Sequence, residues 1–305
     1  VSWQHSYHDR PCVQPLSRPK ARTTLPGVSP TFVFVHGSYS NSFSWAPLQR
    51  ELALRGHRSL AVDLPGHGFA AAFPAAYQAP QDLGRLATEP STVAGLADTD
   101  AVAHVISTVR RAAEHGPVIL AGHSRGGLTI TGTGNAIPEL IHRIVYISAW
   151  CCVDRSPAEY TRLPEYSAEI AAGTLGAPVA DPAELGAVRL NWRTADPERL
   201  RTLKTMLLAD GTDNEFLAFL NTLEPDELAS AADDRIQATT LGRIPHTYVR
   251  LTQDRSIPLA LQDLFIRQAD ALTPDNPFDV RTLESSHAGF LVRPEKAAAL
   301  LADLA

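Results

Sequence analysis

From Thr31 onward the chain alternates between two textures. Short apolar runs rich in Val, Ile, Leu and Phe are separated by longer segments whose apolar positions recur with helical period. The short runs predict strands at 31–35, 58–62, 117–121, 143–148, 247–251 and 278–283. Helices are expected between and after them, at 45–55, 98–114, 126–136, 259–271 and 294–305. The first four strands lack strict in-and-out alternation, as strands do when helices cover both faces of their sheet. The pattern predicts an α/β fold with a mostly parallel central sheet flanked by helices.

Two stretches fall outside that rhythm. Residues 1–30 carry Pro11, Pro15, Pro19, Pro26 and Pro30 with little periodicity and are expected to form an extended N-terminal arm. Residues 152–243 show helical texture broken by prolines and glycines, with no convincing strand. They are expected to form a helical cap inserted into a core made of 31–151 and 244–305.

Composition narrows the class. A chain of 305 residues with 44% hydrophobic and 20% charged content can bury roughly 75% of its unfolded surface, so it needs no metal or disulfide framework. Three cysteines cannot all pair within the chain, and none has zinc or redox spacing. Cys151 and Cys152 are expected to be buried packing residues. The net charge of −6 with no basic cluster argues against nucleic acid as a partner. No apolar run approaches the length that spans a bilayer, and the first residues are polar, so a soluble, cytoplasmic protein acting on a small molecule is expected. Val1 in place of Met leaves open both a removed upstream segment and an alternative start codon, and hence a processed, secreted chain. Oligomeric state is not encoded in any visible pattern, a homodimer being one option. Residues 151–240 hold 16 acidic against 8 basic side chains, read first as a polar outer face, with repulsion of anionic substrates as the alternative.

The chemistry is carried by Gly122-His123-Ser124-Arg125-Gly126, which follows a buried strand and opens a helix. That is the context a G-x-S-x-G nucleophile turn requires. A sharp strand-to-helix turn excludes bulky side chains two residues either side of the serine, and it sets the hydroxyl over a helix N-terminus that favours developing negative charge. A serine needs a base, and the base needs an orienting acid. His287 stands after the last strand, with Gly289 allowing a tight loop. Asp254 ends the strand before it, and Asp154 is its rival. The backbone N–H groups of Ser38, after the first strand, and Arg125 are the expected oxyanion donors; losing one such donor typically costs about 3 kcal/mol. No metal and no cofactor is called for. His36, Tyr39 and Trp150 are the expected pocket residues, while Phe43, Trp192, Phe216, Phe219 and Phe290 are candidates that include core residues.

These residues, with the loop His36-Gly37-Ser38-Tyr39-Ser40-Asn41-Ser42-Phe43-Ser44-Trp45, Arg55-Gly56-His57, Asp63-Leu64 and Leu251-Thr252-Gln253-Asp254, resemble the α/β-hydrolase superfamily. The likeness is to the plant methylesterase and hydroxynitrile-lyase group and its bacterial serine esterase relatives. It spans 31–150 and 245–305 and fades through the cap. The resemblance implies a Ser124–His287–Asp254 triad and cofactor-free cleavage of esters or related bonds; with the Ser, Asp and His positions, the expectation is a carboxylic ester, lactone or thioester of a small to medium, largely apolar substrate, cleaved through an acyl-enzyme. Hydroxynitrile lyases of the group place a lysine after the catalytic histidine, whereas Ala288 stands there, which disfavours lyase chemistry. Arg125 is unusual after the nucleophile and is expected to salt-bridge the cap, contact with a substrate carboxylate being the alternative. A lyase or C–C bond hydrolase with the same triad, and a catalytically silent small-molecule receptor, are the competing functional readings.

Overall fold

The computed structural model describes residues 28–166, 176–229 and 233–305; most of the expected arm, residues 1–27, lies outside them. The strands are β1 (Thr31–Val35), β2 (Arg58–Val62), β3 (Val118–Ser124), β4 (Arg143–Ala149), β5 (Ala187–Arg189), β6 (Asp226–Leu228), β7 (His246–Leu251) and β8 (Asp279–Leu283). One sheet runs in the order β2-β1-β3-β4-β7-β8, and every neighbouring pair in it is parallel. All its strands therefore end at the same edge, where open α/β sheets collect their functional groups.

Central strands are apolar throughout because both faces are covered. From β1, Phe32 and Phe34 pack with Trp45, Leu48 and Leu52 on one face, together with Ala298 and Leu301 of the helix Glu295–Ala302. Val33 and Val35 point the other way, into a core shared with Val105, Val109, Ile130 and Phe265. Those residues belong to the helices Asp98–Ala113, Gly126–Ala136 and Leu259–Leu272. The edge strands β2 and β8 are only partly buried and carry the polar residues, as unpaired sheet edges generally do. Cys151 and Cys152 are buried free thiols, and burial pushes the Cys152 thiol up to about 12.

The segment between β4 and β7 differs from expectation. It holds the helices Pro197–Leu207 and Asp213–Leu220, started by an Asp196 cap before Pro197 and by a reciprocal Thr212–Glu215 capping box. It also holds β5 and β6, an antiparallel pair where no strand was expected. Nor is its acidity all on the outside. Glu224, Asp226 and Glu227 are buried, on or beside β6, because each finds donors there. Arg189 on β5 is fully enclosed and pairs with both oxygens of Asp226 at 2.6 and 2.7 Å. Its remaining donors reach the carbonyls of Leu86 and Glu89 at 2.6 and 2.7 Å, tying the strand pair to the loop before the helix Asp98–Ala113. Glu224 Oε1 accepts from Asn41 Nδ2 at 2.8 Å and from Gly68 N at 2.7 Å, while Oε2 has no hydrogen-bond partner among the described residues. Burial pushes this carboxyl up from 4.5 to about 7.

Two expectations follow from these buried charges. Asp226→Asn strands the Arg189 guanidinium without its counter-ion and is expected to cost about 3–5 kcal/mol, read as a lowered urea midpoint. For Glu224, the folded state favours the neutral acid. The resulting stabilisation is complete below pH 4.5 and is lost as pH rises through about 7. Glu224→Gln is uncharged at every pH, so its stability relative to wild type should improve between pH 5 and pH 8 by on the order of 2–3 kcal/mol. A pH-independent difference would contradict this.

Candidate active site

The strand β3 runs three residues further than its apolar run suggests, through Gly122 and His123 to Ser124. Its pairing with β4 shifts register between His123 and Ser124, and Ser124 itself sits at φ 54°, in the left-handed region. The next helix begins at Gly126. A Cβ on Gly122 would stand 2.9 Å from the Gly126 carbonyl oxygen, and one on Gly126 would stand 2.6 Å from that of His36. Both positions need glycine for the turn to close against β1.

The candidate acid and base, Asp254 and His287, follow the ends of β7 and β8. Asp254 is buried and receives four hydrogen bonds. Its Oδ1 accepts the backbone N–H groups of Ser256 and Ile257 at 2.7 and 3.0 Å. Its Oδ2 accepts Ser148 Oγ at 2.6 Å and lies 2.6 Å from His287 Nδ1. With Nδ1 committed to the carboxylate, Nε2 is the nitrogen left for proton transfer. The loop carrying His287 is itself held: Ala288 N donates to the Leu207 carbonyl at 2.8 Å, and Ser286 donates to Asp210 through both N and Oγ. Ser124 and His287 line one cavity of about 290 Å³. No hydrogen bond joins them among the described residues; such contacts often close only around substrate.

His123 also lines this cavity, its ring 4.4 Å from that of His287. Burial first, and then the neighbouring imidazole, hold its pKa well below the usual histidine range, so it is neutral. Asp154, the rival acid, does not line the cavity; it is half exposed and engaged by Arg155, Tyr160 and Gln268.

Of the expected pocket residues Tyr39 and Trp150 line the cavity, with Ser38, Trp192 and Phe219 beside them. His36 does not. Its Nδ1 is 2.9 Å from the Gly37 carbonyl and its Nε2 accepts Leu64 N–H at 3.1 Å. Burial and then the nearby His67 lower its pKa to about 3. It is a neutral brace for the loop after β1, lining a separate small void beside Arg125 and Glu227. Phe43 lies at the surface against Phe69, and Phe290 is buried against Trp45 and His123. The Arg125 guanidinium pairs with Asp98 at 2.7 Å and lies 3.8 Å from Glu227, so one partner is in the core and one in the insertion. Ser148 escaped sequence reading; the only trace it leaves is a hydroxyl at the end of an apolar run. Among the described residues no group of His, Cys, Asp and Glu is arranged to hold a metal ion, and no helix is long and apolar enough to cross a membrane.

Comparison with known proteins agrees with this architecture. The family model described as "Alpha/beta hydrolase family" matches residues 32–300. A pyrethroid hydrolase of Sphingobium wenxiniae is 25% identical over 274 residues, covering 90% of this chain and 86% of that one. Methylesterase 10 of Arabidopsis thaliana is 30% identical over 140 residues, 44% of each chain. The crystal structure of polyneuridine aldehyde esterase superposes with a TM-score of 0.64 at 20% identity, over 90% of this chain and 99% of that one, a likeness of fold. The family match extends from β1 into the helix Glu295–Ala302, and the chain accordingly belongs to the alpha/beta hydrolase family.

Proposed function

We propose that this chain is a cofactor-free serine esterase that cleaves neutral, medium-sized carboxylic esters through an acyl-enzyme. The observation that carries the reading is the Asp254–His287 hydrogen bond at 2.6 Å beside a cavity that the strained Ser124 also lines. The names of the pyrethroid hydrolase and methylesterase relatives support ester cleavage as the reaction.

In this mechanism His287 Nε2 takes the Ser124 Oγ proton as the oxygen attacks the ester carbonyl. Negative charge develops on the carbonyl oxygen, where the N–H groups of Ser38 and Arg125 and the N-terminus of the helix Gly126–Ala136 stabilise it. Collapse breaks the bond to the alcohol oxygen, which receives the proton from His287. Water, deprotonated by the same ring, then attacks the acyl carbonyl; the bond to Ser124 Oγ breaks, Oγ takes the proton back from His287, and the acid leaves. Asp254 keeps the ring in the productive tautomer and offsets the charge of the imidazolium.

The cavity also bears on substrate class. Among the described residues no Asp, Glu, Lys or Arg lines it; aromatic and aliphatic side chains such as Tyr39, Trp150, Trp192 and Leu223 do. A substrate carboxylate would be desolvated there without a counter-ion, which is unfavourable.

Ser124→Ala is expected to lower turnover of p-nitrophenyl butyrate by about 10⁴-fold or more while the circular dichroism spectrum stays that of wild type; undiminished turnover would reject the reading. The substrate class has its own check. The p-nitrophenyl half-ester of succinate, similar in size but anionic, should show kcat/KM lower by at least about tenfold, a penalty of about 1.4 kcal/mol or more. Equal values would overturn the preference for neutral esters.

A further inference from the structure

The two amides proposed to receive the oxyanion lie on separate segments, and one carboxylate reaches both neighbourhoods. Glu227 enters from β6 and is buried. Its Oε2 accepts the Tyr39 N–H at 2.9 Å. Its Oε1 accepts Leu228 N–H at 2.9 Å and lies 3.8 Å from Arg125 Nε. Tyr39 directly follows Ser38, and Arg125 carries the second amide on its own backbone. Glu227 thus spans the gap between the loop after β1 and the nucleophile turn.

The loop needs such a restraint. Tyr39 has φ 58°, a conformation that a bulky side chain rarely adopts and that persists only where its surroundings over-determine it. Glu227 holds its N–H, and the backbone N–H of Glu224 donates to its carbonyl at 2.8 Å. Asn41, two residues on, donates to the Glu224 carboxylate at 2.8 Å. With the Tyr39 N–H taken by Glu227, the neighbouring Ser38 N–H makes no hydrogen bond among the described residues and is the amide left for a ligand.

We propose that Glu227 is a positioning residue that sets the separation and aim of the Ser38 and Arg125 amides, so that the insertion shapes the oxyanion pocket from behind as well as walling the substrate cavity. It touches no substrate: the cavity that Ser124 lines does not include it. The inference rests on the serine esterase reading. It also accounts for Arg125, whose side chain anchors the same carboxylate at the nucleophile turn and also pairs with Asp98.

Glu227→Gln keeps the shape but turns one oxygen into an amide donor, which cannot accept from Tyr39 or Leu228. With active sites counted by fluorophosphonate titration, kcat per titrated site for p-nitrophenyl butyrate is expected to fall about 10- to 100-fold, with KM within about twofold. A trifluoromethyl ketone provides the second readout. Addition of Ser124 Oγ to its carbonyl, with the serine proton passing to His287, leaves an oxyanion in the same pocket. Its Ki should weaken by the factor lost in kcat/KM. A merely structural role would lower the titre and the melting temperature while leaving kcat per site at the wild-type value, and that result would overturn the proposal. Should Glu227→Gln not fold, Arg125→Met is measured in the same way: it takes the guanidinium away from both Glu227 and Asp98 but leaves the Tyr39 N–H contact with Glu227 in place, reduced kcat per site at unchanged KM is expected, and unchanged kcat overturns the proposal. If wild type and Ser124→Ala hydrolyse the ester equally, the esterase reading fails and this inference with it. Ser124-dependent turnover that is indifferent to Glu227 and Arg125 removes this inference alone.

Discussion

A carboxylate taken out of water is tolerated only when donors replace its hydration, and the site is organised around one such group. Asp254 draws donors from three places: Ser148 at the end of β4, the backbone of the turn after β7, and the imidazole carried by the loop after β8. Satisfying that group fixes the spacing of those strand ends and the rotation of the His287 ring at once. Loss of any one donor would leave a buried charge undersupplied, so the arrangement is cooperative rather than a sum of separate contacts.

Backbone strain gathers at the same edge. Among the described residues the non-glycine residues with positive φ are Tyr39, Ser124 and Ser148, at 58°, 54° and 36°. They follow or end β1, β3 and β4, adjacent strands of the sheet. Each is held by polar contacts that the regular sheet does not supply: Glu227 accepts from Tyr39, the Trp150 N–H donates to the Ser124 carbonyl at 3.0 Å, and Asp254 accepts from Ser148. Strain concentrated in this way marks where a fold departs from its own regularity in order to present groups to a ligand.

Much of this was legible in the sequence, because the main elements obey simple periodicity. β1 and β2 have the expected limits, and the helix Gly126–Ala136 does as well. β3 overran its expected end because Gly122, His123 and Ser124 extend the ladder although they are not apolar. β5 and β6 were invisible for a related reason: each has three residues, and Arg189, Asp226 and Glu227 read as solvent-facing when each is in fact buried with a partner. His36 was misassigned to the pocket because its place in the chain, beside Gly37 and Ser38, does not reveal that both ring nitrogens are already engaged. Ser148 and Glu227 could not have been found by spacing, since their partners lie 106 and 188 residues away in the chain.

Arg189 joins β5, Asp226 and the carbonyls of Leu86 and Glu89 into one block. Trp192, three residues after Arg189, lines the cavity and donates its indole N–H to the Glu224 carbonyl at 2.8 Å, so this wall is backed by a fixed jamb, since lifting the block would expose a guanidinium and a carboxylate from their mutual shelter. Room for a bulkier ligand then has to come from rotation of the more yielding side chains that line the cavity. Met206 is one of them, an unbranched thioether that re-packs at little cost, so the range of ligand sizes the cavity tolerates becomes a matter of rotamers and not of hinges.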